Sequence, residues 1–229
     1  REKLAFLREY ELIPKILEVY SREKLSNLLE LINAQEMLFN NSLRILSDQR
    51  NLDKAVKDAL ESVKLRAKVD VIRENSIANV LPCIMQELEE HSRLRDKPEV
   101  VMLAQLGATH HTVYEKLHSQ QQIKVEERFQ YEPPVMFYYD RLVEGLKTGG
   151  IKKIAPMEIA RAIYGILLYI VGKERSYNSK DSFDLSNRLV SNLNMADMRE
   201  LTRKLIPRNR QENSRIIWDY AHEKAQREY

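Results

Sequence analysis

Asn51-Leu52-Asp53-Lys54-Ala55-Val56-Lys57-Asp58-Ala59-Leu60-Glu61-Ser62-Val63 decides the fold class. Its apolar residues Leu52, Ala55, Val56, Ala59, Leu60 and Val63 step by three, one, three, one and three. Only a helix of 3.6 residues per turn gathers that spacing on one side. Asn51 stands where a side-chain oxygen can cap the first turn. Upstream, neither proline nor glycine interrupts the chain from Pro14 to about Ser47, which predicts a long helix. Leu25, Leu28, Leu29, Ile32, Phe39, Leu43 and Leu46 recur there at helical intervals, and Leu17, Tyr20, Leu31 and Leu38 widen the stripe. A stripe so broad belongs to a helix buried between neighbours.

The rest of the chain agrees. Six glycines and seven prolines in 229 residues are too few to turn a sandwich, barrel or doubly wound sheet. The reading is all-α, a multi-helix bundle of about eight to ten helices. A break is expected at Arg73-Glu74-Asn75-Ser76, with a shorter segment running on toward Pro82. Further helices are predicted over about 99–122, from about Val135 to a stop at Gly149-Gly150, and from Pro156 to about Val171. Ile123 to Pro134 reads as a loop and hinge. Asp184 is expected to cap a short helix, Asn194 and Asp197 to form a capping pair, and Pro207 to split the last two helices. We divide the chain into a main bundle over 1–175 and a C-terminal helical extension over 176–229 that packs on it.

Charge and cysteine content narrow the function classes. With 37 basic and 34 acidic side chains the net charge is +3, which gives no strong nucleic-acid signal. One cysteine, Cys83, excludes an internal disulfide and fits a reducing, intracellular, cytoplasmic setting. The apolar run from Ile159 to Val171 is interrupted by Arg161 and too short for a transmembrane segment. A start at Arg1 without methionine leads us to expect a piece of a longer protein.

Three constellations carry potential chemistry. His111, Glu115 and His118 fall on one helical face, a spacing that can bring imidazoles and a carboxylate to zinc or iron. The order of the known two-histidine metal helix is absent, so the triplet reads first as a polar flank beside the apolar stripe and only second as a metal site. Glu87, Glu89, Glu90 and His91 lack the glutamate-to-histidine spacing of di-iron bundles and read as solvated surface. Phe129, Tyr131, Phe137, Tyr138 and Tyr139 form a local aromatic enrichment suited to a partner surface, or to pinning a proline-rich loop on the core.

These observations lead to the expectation of a non-enzymatic α-helical interaction or scaffold domain with no cofactor. Protein partners or a second copy would be met through Phe129, Tyr131, Phe137, Tyr138, Tyr139, Ile163 and Leu167. A regulator's dimerisation and ligand-sensing domain is the first alternative, its bundle interior holding a small apolar ligand near Phe137, Tyr138, Tyr164 and the histidines. A metal-dependent enzyme using His111, Glu115 and His118 is the second.

Overall fold

The computed structural model describes residues 22–90, 111–119, 137–175 and 179–227. Among the described residues there are eight helices and no strand. They are α1 (Arg22–Asp48), α2 (Leu52–Glu90), α3 (His111–Ser119), α4 (Tyr138–Lys147), α5 (Pro156–Glu174), α6 (Ser179–Ser191), α7 (Met195–Lys204) and α8 (Arg210–Arg227). The long first helix and the all-α bundle are as the sequence predicts; the part of that helix before Arg22 and the loop over 123–134 lie outside the described residues.

Helices α1 and α2 form an antiparallel hairpin. Asn41 donates to Asp58 at 2.6 Å while Gln35, further from the turn on α1, donates to Ser62, further from it on α2, at 3.1 Å. The turn is made by Arg50 in the left-handed region at φ 50°. Asn51 then caps α2, its side-chain oxygen accepting the Lys54 amide at 3.0 Å.

Across this hairpin lies α5, whose neighbours are α2, α4, α6, α7 and α8. Ile159, Ala160, Ile163, Tyr164 and Leu168 have no measurable exposure. One apolar cluster joins them to Ile45, Leu52, Ala59 and Val63 on the hairpin and to Val190, Leu201, Ile217, Trp218 and Ala221 on the C-terminal helices. Small residues on α5 set how close α6 comes: a Cβ at Gly165 would sit 3.7 Å from Val190, and one at Gly172 3.3 Å from Ser182. The close partner of this helix is therefore within the same chain.

Two boundary expectations are corrected. The polar run at Arg73 to Ser76 does not break α2, which continues through Pro82 to Glu90. Asp70 and Glu74, one turn apart, are buried on the face that α4 covers, so the polarity marks an interhelical contact. Pro82 forfeits one ladder bond. The distal part of α2 is nonetheless anchored, because Ala78 and Leu81 pack with Val113 and Leu117 of α3 in a second, smaller cluster. Asp184 is not a cap: α6 begins at Ser179, leaving Asp184 exposed inside it.

Elsewhere the local chemistry performs as read. The Asn194 side chain accepts the amides of Ala196 and Asp197 at 2.8 and 3.0 Å, and Asp197 accepts the Asn194 amide at 3.0 Å, a reciprocal capping box. Gly149 follows the Thr148 cap of α4 with φ 73°. Pro207 lies in the turn between α7 and α8, where Asn213 clamps both backbone groups of Ile206 at 2.6 and 2.8 Å.

Candidate functional site

Helix α4 starts at Phe137, whose extended backbone turns the chain into Tyr138 and Tyr139. The two tyrosines point differently. Tyr139 is buried: its hydroxyl lies 3.1 Å from both Gln35 and Ser62, and its ring meets Phe39 edge-on at 5.3 Å. Ser62 commits its proton to the Gln35 carbonyl at 3.0 Å, so the Tyr139 hydroxyl donates to Ser62. Burial raises the Tyr139 phenol above its ordinary range, against the opposing pull of the Arg66 charge and the Gln35 donor. Tyr138 stays half-buried with the Arg141 guanidinium 5.6 Å from its ring centre.

Phe137 turns toward α5 and α6. Its ring meets Tyr169 at 4.7 Å and Phe183 at 4.1 Å, and those two stand 4.6 Å apart. The three rings are in mutual contact at aromatic packing distances, with each residue half-buried. Ile166, Leu167 and Ile170 of α5 are half-buried as well, whereas Ile163 is fully buried in the core. Phe129 and Tyr131 lie outside the described residues.

A charged seam runs between α2 and α4. Arg66 contacts the buried Asp70 at 3.1 Å, and Arg73 approaches the same carboxylate at 3.7 Å. Burial holds the Asp140 carboxyl above its ordinary range; Arg66 opposes that shift and Asp70 reinforces it. One turn further, Lys147 and Glu74 form an ion pair whose side chains are each 1% exposed. Glu144 adds a second contact to Lys147 at 2.7 Å, and Thr112 of α3 donates to Glu74. Burial pulls the Lys147 ammonium down, but the two carboxylates outweigh it and hold the group above its usual range.

The metal triplet does not assemble into a described site. His111 opens α3 and its side chain lies outside the described residues; Glu115 is exposed, and the exposed His118 ring stacks on Tyr114 at 5.6 Å. Among the described residues no three histidines, cysteines, aspartates or glutamates stand close enough to hold a metal. Tyr164, a proposed wall of a ligand pocket, is wholly buried with its hydroxyl 2.8 Å from Thr202 and 3.2 Å from the Met198 carbonyl.

Sequence reasoning missed Ser62, Arg66, Asp70 and Glu74. The signal was present, since these four polar residues step by one helical turn along the edge of the apolar stripe. Their partners, Tyr139, Asp140 and Lys147, are too distant in sequence for any local pattern to supply them.

Fold and site together define an all-α helical bundle with a half-buried aromatic edge and a paired-charge seam. Comparison with family models, curated proteins and solved structures finds no match.

Proposed function

We propose that this chain is a non-enzymatic helical interaction domain working inside the cell, and that a second copy is the partner its surface takes. The observation that carries the reading is the contrast between seam and edge. In the seam, Lys147 faces Glu74 and Glu144, Arg66 faces Asp70, and Tyr139 faces Gln35 and Ser62. Groups so committed to one another brace helices and are poorly placed to act on a substrate. At the edge, Phe137, Tyr138, Ile166, Leu167 and Ile170 keep part of their apolar surface in water. Such residues gain when a second surface covers them.

Sedimentation equilibrium of the full chain tests the proposal. Wild type is expected to show a reversible monomer-dimer equilibrium in the micromolar range, and Leu167→Asp or Tyr138→Asp to shift it at least tenfold toward monomer with unchanged helical circular dichroism. A wild type that remains monomeric at about 100 μM contradicts the reading.

A further inference from the structure

Two described residues other than glycine adopt a left-handed backbone, Arg50 at φ 50° and Arg208 at φ 59°. The fold brings both to one corner. Asp48, at the end of α1, accepts the Arg208 amide at 3.2 Å, so the turn after α7 lies against the turn after α1. Arg199 reaches from α7 to Asp53 in the first turn of α2 at 3.1 Å, with Arg203 one turn further along α7. Lys57 stands one turn beyond Asp53 on α2, and Lys54 donates to the neutral Gln49 amide at 3.4 Å.

Six exposed cations, Arg50, Lys54, Lys57, Arg199, Arg203 and Arg208, thus surround two carboxylates, Asp48 and Asp53. Asp58, further along α2, is engaged by Asn41 on α1. Counting Asp58, six cations stand against three carboxylates, an excess equal to the +3 of the entire chain. Arg50, Lys57, Arg203 and Arg208 form no ion pair among the described residues. Next to Arg208 stands an apolar tip: Ile206 is 39% exposed, Pro207 follows it, and Asn213 holds the Ile206 backbone fixed from both sides.

We propose that this corner docks on an anionic phospholipid bilayer, with Ile206 and Pro207 entering the interfacial layer and the arginines and lysines meeting headgroup anions. An apolar tip beside a cluster of cations matches the two zones of a membrane surface, acyl boundary and charged headgroups. A nucleic acid fits less well, because no exposed aromatic ring stands among these cations for a base to stack on. A purely acidic peptide would leave the apolar tip unused. Contact is at the surface, since no helix among the described residues is long and apolar enough to cross a membrane.

Co-sedimentation of the full chain with vesicles tests this, using phosphatidylcholine alone and phosphatidylcholine carrying about one-third phosphatidylserine. Binding is expected only to the second vesicle and should weaken as salt rises. The double variant Arg50→Gly with Arg208→Gly removes two charges where glycine suits the backbone better. At about fivefold per cation, its partition coefficient should fall about 25-fold while the melting temperature holds. Ile206→Ser should weaken binding without altering charge. Failure to bind the phosphatidylserine vesicles, equal binding to both, or undiminished binding by the glycine variant overturns the proposal. Retention on immobilised DNA without vesicle binding also overturns it and assigns the corner to nucleic acid.

Discussion

Asp140 shows how a single residue's environment becomes a property of the whole protein. Its carboxyl is raised above the ordinary value of 3.8 chiefly by burial, so the folded chain binds this proton more readily than the unfolded chain. Its share of stability is therefore largest in acid and declines as pH rises through and above the ordinary aspartate range. Asp140→Asn, which has no charge to bury, should be more stable than wild type at pH 7 in urea unfolding, with the difference shrinking toward about pH 4. A difference that stays constant with pH would show that the charge plays no part. At Lys147 the shift has the same direction but another cause: the two carboxylates stabilise the cation against burial, and Lys147→Met leaves Glu74 buried without its main partner. A loss of about 3 to 5 kcal/mol is expected, with much of it recovered when Glu74→Leu is added. Tyr139→Phe removes one donor from the Gln35 and Ser62 cluster and should cost about 1 kcal/mol in the same assay.

At the scale of elements, the outcome depends on where each helix obtains its instructions. Local instructions were legible. The spacing from Leu52 to Val63 buried Leu52, Ala55, Val56, Ala59 and Val63, and the Asn194 and Asp197 pair formed its box. Asn194→Ala should accordingly cost about 1 kcal/mol and loosen the first turn of α7, read by hydrogen exchange at Ala196 and Asp197. Gly149 took the left-handed conformation that a helix end requires. Non-local instructions were not legible. Nothing near Glu74 in the sequence announces Lys147, so a buried ion pair looked like a helix break, and α2 was cut short. Gly145 is a similar case: the Ile151 side chain occupies the space a Cβ there would need, held by the Ile151 amide bonding to the Gly145 carbonyl at 2.8 Å. Gly145→Ala should destabilise by about 1 to 3 kcal/mol despite alanine's better helix propensity. A stabilised variant would mean that the loop after α4 moves aside freely.

For the molecule as a whole, α5 is the shared wall of the core. It contacts α2, α4, α6, α7 and α8, and Trp218 of α8 belongs to the same apolar cluster as Leu52 and Ala59 of α2. The sequence suggested a boundary near residue 175 because composition turns polar there; which residues touch across it depends on packing that composition does not encode. The distal part of α2 with α3 rests on its own small cluster and on the Glu74 and Lys147 pair, so it should open more easily than the rest. Native-state hydrogen exchange across a denaturant series tests this most directly. Amides in the first half of α2, in α5 and in α8 should share one opening free energy and one denaturant slope, with those beyond Ile77 and in α3 opening earlier. If α8 instead opens independently, at a lower free energy than α5, the helices do not share a core and the account fails.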